Sequence, residues 1–475
     1  MIPERPRKNR PSLHAEGALP LPLRPLHTSH TRRVISHAIH VALLAVAFAI
    51  PLSASAITTP IVFVGETAPD TNGGTFAIPV APSLNNTGEV VFYSTIAGSD
   101  VLHGIFVGDG LMTRSAALTG DAAPGTSGGV FSSIFTVAKI NDNQDVAFSA
   151  SISGGSTFSG LFLENAGVVT PIALSGDPAP GTSGTYFSFL SSFISLNNVG
   201  QIAAVSGISG FPPTAGLFIE SAAGGSLLVE SGAAVPGVPG ATFTSFAKPS
   251  INDSGDVAFE AAFSAGGTNS RGIFKYASGV ISIIALENEV APGTGGGTFS
   301  TQEIDTSAID DDGNVYFQAR IVGPGPLKGL FVGDGVTLEA IVLEDDALPY
   351  PGGATANSLN NAPTTSANGN AAFAVELALP GAQTERAAYV DAGDGSGFSL
   401  SVAGGEVVPN TGGGTLLIPS APSVNNAGAI AFSSAISGGT ETQGIFVPEP
   451  NILAGLSVGL LTLLLRRDRG ARRAR

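Results

Sequence analysis

The sequence contains no cysteine and no tryptophan, and His103 is the only histidine after residue 40. Without cysteine there are no disulfides and no thiolate chemistry, and the His and Cys clusters that hold zinc are missing. A Ser-His-Asp triad would have to be built on His103, which stands one residue before a predicted strand and which we interpret as a strand-edge residue. We therefore expect a protein that is not an enzyme and that holds no cofactor and no metal.

Charged residues are also scarce and are unevenly distributed. They make up 12% of the chain, and the net charge is −16. Basic residues are concentrated in residues 1–56 and 466–475, which leaves 8 basic against 34 acidic residues between them. Such an acidic body repels nucleic acid, so no nucleic-acid partner is expected. A self-repelling soluble surface or binding of divalent cations would each account for the acidity.

The N-terminal segment has the pattern of a secretory signal. Arg32 and Arg33 precede an apolar run from Val41 to Leu52, and Ala54-Ser55-Ala56 follows. A basic region, an apolar run and a small-x-small motif predict a signal helix that is cleaved before Ile57, so that residues 1–56 form the leader. An uncleaved membrane anchor is the alternative, although the run is shorter than the ~20 residues of a full span.

The C-terminal segment combines a Pro-Glu-Pro motif, an apolar helix and an arginine-rich tail. Val447-Pro448-Glu449-Pro450 precedes an apolar stretch from Ile452 to Leu465, and Arg466-Arg467 begins the tail that ends at Arg475. This segment, residues 448–475, resembles the PEP-CTERM sorting signal. The resemblance implies transient insertion of the helix in the inner membrane and recognition by an exosortase-like sorting enzyme. An ordinary single-pass anchor is the alternative.

The basic tail is expected to stay on the cytoplasmic side, which places the body of the protein outside. The predicted sorting and processing residues are Ala54, Ala56, Pro448, Glu449, Pro450, Arg466 and Arg467.

Between the two signals the chain consists of seven repeats, 55 to 59 residues apart. The first motif is N-x-x-G-x-x-A-F, and its copies begin at Asn85, Asn141, Asn197, Asn252, Asp310, Ser366 and Asn425. Asn at the first position and Gly at the fourth are typical of a tight turn, so the motif predicts a hairpin. A Gly-Ile/Leu-Phe motif follows in each repeat, with a degenerate copy near Ala388-Tyr389 in the sixth. A proline then comes three residues after an acid in six of the seven copies.

Each repeat reads as four strands. In the second, we predict strands at Val130–Ile140, 145–152, 160–164 and Val168–Leu174, with alternating apolar residues. A four-stranded unit of this size cannot bury a core alone and must stack on its neighbours. Seven such units predict an all-β protein with a seven-bladed β-propeller over residues 57–447, flanked by the signal helix and the sorting helix. Tandem small sandwiches and an open β-solenoid are the alternatives.

The two ends of the repeat region favour a closed ring. Residues 59–66 resemble the fourth strand of a repeat, whereas the last repeat stops after its third strand at Phe446-Val447. The N-terminal strand would therefore complete the seventh blade.

The repeat pattern also resembles the bacterial surface proteins named for their NxxGxxAF repeats. The resemblance implies export through the secretion machinery to the cell surface or the extracellular matrix, and it implies no chemistry. We expect a structural, adhesive or interaction role, with exopolysaccharide as a possible partner. A glycan-binding or glycan-cleaving propeller is the alternative, although no spacing marks a pair of carboxylates among the acids of the body.

Two groups of acids are candidates for calcium. The run Asp310-Asp311-Asp312 is the densest, and the acids before the repeated prolines would ring one face of a propeller. Hard cations favour oxygen-rich loops of this kind, but backbone capping in turns explains the same positions.

Overall fold

The structure is a computed structural model that describes residues 58–448 except 211–213, 360, 418 and 421. In this part of the chain all regular structure is β, and the strands form seven antiparallel sheets. Within the same residues, no helix is long and apolar enough to cross a membrane. The predicted signal helix and sorting helix lie outside the described residues.

The strands follow one another sheet by sheet along the chain, after a first strand β1 (Thr58–Phe63). Blade 1 contains β2 (Thr75–Leu84), β3 (Val90–Ala97), β4 (His103–Gly108) and β5 (Thr113–Leu118). Blade 2 contains β6 (Val130–Ile140), β7 (Val146–Ser153), β8 (Ser159–Asn165) and β9 (Val168–Leu174). Blade 3 contains β10 (Tyr186–Leu196), β11 (Ile202–Ile208), β12 (Thr214–Glu220) and β13 (Ser226–Glu230). Blade 4 contains β14 (Ala241–Ile251), β15 (Val257–Ala265), β16 (Thr268–Ala277) and β17 (Val280–Leu286).

The last three blades contain the remaining strands. Blade 5 contains β18 (Thr298–Ile309), β19 (Val315–Val322), β20 (Lys328–Gly333) and β21 (Leu338–Leu343). Blade 6 contains β22 (Ala347–Leu348), β23 (Ala354–Leu359), β24 (Thr364–Thr365), β25 (Ala371–Leu379), β26 (Gln383–Asp391) and β27 (Phe398–Ala403). Blade 7 contains β28 (Thr415–Leu416), β29 (Ser423–Val424), β30 (Ile430–Ser437) and β31 (Gln443–Pro448).

The four-strand prediction for the second repeat is confirmed. The first and fourth strands have the predicted bounds, and the second and third differ by one residue at each end. The inner strands of blades 6 and 7 are each split into two short pieces, β23 and β24 in one, β28 and β29 in the other. Pro363 and Pro422 come directly before the second pieces and have no N–H to donate, a defect that an edge strand tolerates.

Strand β1 closes the ring as the sequence predicts. It pairs antiparallel with β31, with Thr58 opposite Pro448 and Val62 opposite Ile445, and so becomes the outer strand of blade 7. The seven-bladed β-propeller is therefore confirmed. The ring includes Pro448, one residue beyond the predicted boundary at 447.

The hydrophobic core lies between the blades rather than within them. The cluster around Phe131 and Phe148 of blade 2 includes Val91 and Ile105 of blade 1. Equivalent clusters join each further pair of neighbours, and the one around Phe76 joins blade 1 to blade 7. Most of the buried area therefore depends on stacking, which is why a single repeat cannot be stable alone.

The Gly-Ile/Leu-Phe motif serves this packing. Phe92 and Phe106 of blade 1 stack at 5.8 Å, and Phe76 meets Phe106 edge to face at 4.9 Å. Glycine is needed at position 104, two residues before Phe106, because a Cβ there would lie 2.8 Å from the carbonyl oxygen of Ala117 and would collide with Leu118. Phe92 and Phe106 are fully buried, so phenylalanine at these positions is part of the core.

Candidate functional site

The seven inner strands surround a central channel with a cavity volume of about 490 Å³. Its lining comes from the second half of each inner strand and from the first two residues of each N-x-x-G turn. The lining side chains are apolar groups, hydroxyls, amides, carboxylates and the amines of Lys139 and Lys248; it has no Arg, His, Tyr or Glu among the described residues.

Each N-x-x-G turn is built by its asparagine. In the first repeat, Oδ1 of Asn85 accepts hydrogen bonds from the backbone N–H groups of Thr87 at 3.1 Å and Glu89 at 2.8 Å. Gly88 supplies the left-handed backbone with a φ of 91°, and in the second repeat Gln144 takes the same conformation at 65°. The predicted hairpin role of the motif is confirmed.

The same asparagines also join neighbouring blades, which the sequence did not reveal. Nδ2 of Asn85 donates to the backbone carbonyl of Asn141 at 3.2 Å, and Nδ2 of Asn141 donates to that of Asn197 at 3.0 Å. The series continues from Asn197 to Asn252, from Asn252 to Asp310, and from Asn425 back to Asn85. The turns thus form a hydrogen-bonded belt around one mouth of the channel.

Blades 5 and 6 depart from the motif, and other residues compensate. The side chain of Asp310 has no amide group to donate. Its carboxylate accepts hydrogen bonds from Nδ2 of Asn314 at 2.9 Å and from the hydroxyl of Tyr316 at 3.2 Å. The same Tyr316 hydroxyl lies 3.3 Å from the carbonyl of Gly369 in blade 6. In blade 6, where Ser366 replaces asparagine, Asn370 donates to the carbonyl of Asn425 at 3.2 Å.

A second ring of side chains follows at the next turn position. The backbone N–H of Asn86 donates to Asp142 at 2.8 Å, that of Asn198 donates to Asp253 at 2.7 Å, and that of Asp253 donates to Asp311 at 2.9 Å. The three carboxylates of this ring are therefore engaged by backbone donors of the preceding blade.

A third series of contacts comes from serines two residues before the turn, at three of the blade junctions. The edge N–H groups of the inner strands point into the channel and need acceptors. Ser423 accepts from the N–H of Leu84 at 3.0 Å, Ser195 from Ile251 at 3.2 Å and Ser250 from Ile309 at 3.2 Å. Each serine belongs to the blade before the N–H that it caps.

Lys139 occupies this serine position in blade 2. An ammonium group has three donors and no acceptor, so it cannot cap the equivalent N–H of Leu196 in blade 3. Among the described residues, no atom accepts a hydrogen bond from the Lys139 amine, and burial lowers the pKa of that amine. Lys248 of blade 4 lines the channel two residues before Ser250, with a left-handed φ of 47°.

The acids before the repeated prolines cap backbone N–H groups at the end of six of the seven outer strands. Asp121 accepts from Leu118 at 2.9 Å, Asp177 from Leu174 at 3.0 Å and Asp346 from Leu343 at 2.8 Å. Glu66, Glu289 and Glu406 do the same at 2.9 to 3.1 Å. No group of three or more His, Cys, Asp or Glu side chains in the described part of the chain is arranged to hold a metal ion. Backbone capping thus accounts for these acids.

The single histidine of the body also has a structural contact. Nε2 of His103 accepts a hydrogen bond of 3.0 Å from the N–H of Ile134 in the next blade, and burial lowers the pKa of its ring. His103 is the first residue of β4, in agreement with its interpretation as a strand-edge residue.

Two buried glutamates lie inside the blades, away from the channel lining. Glu164 is fully buried, pairs with Arg114 at 2.9 Å and keeps one carboxylate oxygen without a hydrogen-bond partner. Glu220 accepts from the hydroxyl of Tyr186, and desolvation raises its pKa to about 7. Tyr186 stands where blades 1, 2, 4 and 5 have phenylalanine, so this pair replaces an apolar contact of the repeat.

Most of the predicted sorting residues, namely Ala54, Ala56, Glu449, Pro450, Arg466 and Arg467, lie outside the described residues. Pro448 is described: it is buried at the end of β31, where it faces Thr58.

The sequence matches a single family model twice in succession, over residues 44–215 and 205–349. The model is described as Family of unknown function (DUF7453). The chain belongs to this family. The membership brings no activity with it, and comparison with curated proteins gives no match.

Solved structures with a similar fold have little sequence in common with the chain. The β-propeller domain of the Trilobed protease from Pyrococcus furiosus is 11% identical, with a TM-score of 0.45 over 79% of this chain and 96% of that one. A puromycin-hydrolyzing peptidase from Mycobacterium tuberculosis is 12% identical, with a TM-score of 0.44 over 80% of this chain. Trypanosoma rangeli sialidase is 10% identical, with a TM-score of 0.34 over 86% of this chain. The chain spans 52% of the peptidase and 62% of the sialidase.

Proposed function

We propose that this protein is exported to the cell surface or extracellular matrix, where its propeller has a structural or adhesive role. In this proposal the secretion machinery removes the leader at Ala56, and an exosortase-like enzyme processes the C-terminal signal at Pro448–Pro450. The observation that carries the proposal is the pairing of Thr58 with Pro448.

Because Thr58 lies opposite Pro448, the first residue of β1 and the last residue of β31 are at the same end of one strand pair, and each is within two residues of a predicted processing site in the sequence. Strand β1 begins two residues after Ala56, and β31 ends at the first proline of the Pro-Glu-Pro motif. Cuts at both sites would leave all seven blades complete. A cut only eight residues further along the N-terminal side would remove β1 and open blade 7, because β1 is its outer strand.

The chemistry of the channel favours a structural or binding role over glycan cleavage. Hydrolysis of a glycosidic bond uses a pair of carboxylates that flank the scissile bond, one of them with a raised pKa. The carboxylates of Asp142, Asp253 and Asp311 are held by backbone donors, and Glu220, whose pKa is raised, is buried inside blade 3. Polar groups of the turns and inner strands form hydrogen bonds that join blade to blade.

Intact mass and fractionation of the protein from its native host test the proposal. We expect a species that starts at Ile57 and ends between Pro448 and Pro450, found in the surface or matrix fraction. A species that keeps Arg466–Arg475 and stays in the inner membrane would overturn the sorting proposal in favour of an ordinary anchor.

A matched pair of variants separates the motif from general effects of lost charge. Glu449→Ala changes the Pro-Glu-Pro motif, and Glu441→Ala removes the same charge from the loop before β31. We expect the unprocessed form to accumulate with Glu449→Ala alone. Equal accumulation in both variants would contradict recognition of the motif.

A further inference from the structure

We propose that the central channel binds a small sugar acid, with Lys139 as the group that holds its carboxylate. This deepens the proposed matrix role and rests on it only for the biological source of the ligand, since binding is measured on the purified protein.

The first argument is the mismatch between Lys139 and its position in the repeat. At three of the other junctions, Ser423, Ser195 and Ser250 place a hydroxyl oxygen against an edge N–H of the next blade. At the junction of blades 2 and 3, the ammonium group of Lys139 and the N–H of Leu196 are both donors. A bound carboxylate supplies the acceptor that both donors lack, and hydrogen bonds between charged partners are the strong ones.

The second argument is where the positive charge lies. Only 8 basic residues occur between the two signals, and two of them, Lys139 and Lys248, line the channel. Burial lowers the pKa of Lys139 with no carboxylate to oppose it. A partly buried amine without a hydrogen-bond partner is costly, and a bound carboxylate would remove that cost.

The third argument restricts the ligand to a hydroxylated molecule. Asp142, Asp253 and Asp311 surround the mouth on the turn side, and their charge opposes a bare anion. Hydroxyl groups of a sugar can hydrogen-bond to these carboxylates and to the serine and threonine side chains of the inner strands. The cavity volume of about 490 Å³ is within the range of small-molecule sites.

Calorimetric titration of the mature protein with glucuronate, glucose and acetate tests the proposal. We expect glucuronate to bind at least tenfold more tightly than either of the other two, and more weakly as the salt concentration rises. Glucose binding as tightly as glucuronate would overturn the role of the carboxylate. Acetate binding as tightly would overturn the sugar, and absence of glucuronate binding would overturn the site.

The decisive variant is Lys139→Ser, which introduces the residue that blades 1, 3, 4 and 7 have at this position. We expect it to lose at least tenfold in glucuronate affinity without a loss of thermal stability, because the hydroxyl can cap Leu196. Lys328→Ser removes the same charge from an ion pair with Glu303 outside the channel and is expected to bind normally. Lys139→Gln, closer in size to lysine, repeats the test if the serine variant folds poorly. Unchanged affinity in a folded Lys139 variant would overturn the proposal.

These outcomes are distinct from those of the sorting experiment. A protein that is sorted as proposed but binds no glucuronate retains the structural role and loses the ligand. A protein that binds glucuronate but stays in the inner membrane retains the site and loses the proposed location.

Discussion

The side-chain amide of Asn425 donates a hydrogen bond of 3.2 Å to the backbone carbonyl of Asn85, 340 residues earlier in the chain. The same side chain holds its own turn, because its Oδ1 accepts from the N–H groups of Ala427 and Ala429, each at 3.0 Å. One residue therefore shapes the last hairpin and fastens blade 7 to blade 1. The ring is therefore closed at two places, by the pairing of β1 with β31 and by this hydrogen bond at the channel mouth.

Asn425→Ala is expected to destabilise the ring. It removes the donor to Asn85 and leaves two backbone N–H groups of the turn without their acceptor, which together cost about 2–3 kcal/mol. Asn425→Asp keeps the acceptor and loses only the donor, as blade 5 does with Asp310, and is expected to cost about 1 kcal/mol. Urea unfolding measures both; an alanine variant as stable as the wild type would show that the belt contributes nothing.

The glycine of the Gly-Ile/Leu-Phe motif is expected to be sensitive to a single methyl group. Gly104→Ala puts a Cβ against Leu118 and 2.8 Å from the carbonyl oxygen of Ala117, and overpacking of this kind costs about 1–3 kcal/mol. Gly207→Ala is the control, since a Cβ there meets nothing closer than 3.5 Å. Thermal melts should separate the two variants by several degrees. Equal melting temperatures would refute the packing explanation of the motif.

The pair of Glu220 and Tyr186 is expected to make stability fall as pH rises. Desolvation raises the pKa of Glu220 from an ordinary 4.5 to about 7 in the folded protein. The folded state therefore binds the proton more tightly than the unfolded state, and the resulting stability is present in full below pH 4.5 and lost progressively up to pH 7.

Glu220→Gln tests this assignment, since glutamine keeps an acceptor for the Tyr186 hydroxyl and has no proton to lose. The decline between pH 4.5 and 7, up to about 3 kcal/mol, should be absent from the variant, which should be more stable than the wild type at pH 8. Denaturation at a series of pH values measures it. The same decline in both proteins would assign the pH dependence to other groups.

Blade 3 lacks the acid that caps the outer strand in the other six blades, and adding it is expected to stabilise the protein. Ala233 stands at that position, and its N–H bonds to the carbonyl of Glu230 at 3.1 Å, as that of Asp121 bonds to Leu118 at 3.1 Å. Ala233→Asp should cap the N–H of Glu230 and add about 1 kcal/mol. Ala234→Asp, one residue along, is the control and should give no gain. A gain in both variants would point to a general effect of charge.

The repeat sequence predicted the fold because its signals are local. Asparagine and glycine three residues apart define a turn, alternating apolar residues define the strands around it, and neither depends on distant parts of the chain. The offset of a strand between the two ends of the repeat region was enough to predict how the ring closes. The split inner strands of blades 6 and 7 were missed, because proline within an edge strand gives no clear signal of where pairing stops.

The candidate site could not be predicted in the same way. Lys139 was an ordinary lysine in a predicted strand, and its importance comes from Leu196, 57 residues further along. The sequence also did not show that Asn370 supplies the inter-blade hydrogen bond that Ser366 cannot donate. Both residues lie in one turn, but the carbonyl to which Asn370 donates belongs to the next blade. The sequence offered the acids before the prolines for capping or for cations, and only the structure shows which backbone N–H groups they cap.

The sequence by itself determined the number of blades, the turns within them and the strand that closes the ring, because these follow from backbone geometry and apolar periodicity inside each repeat. Only the tertiary structure decided which polar groups meet across the blades: the asparagine belt, the serine caps and the unpaired donors at Lys139. Those contacts join residues about one repeat apart in the sequence. Their distances depend on how the hydrophobic faces of neighbouring blades stack, and the sequence of one repeat does not specify that stacking.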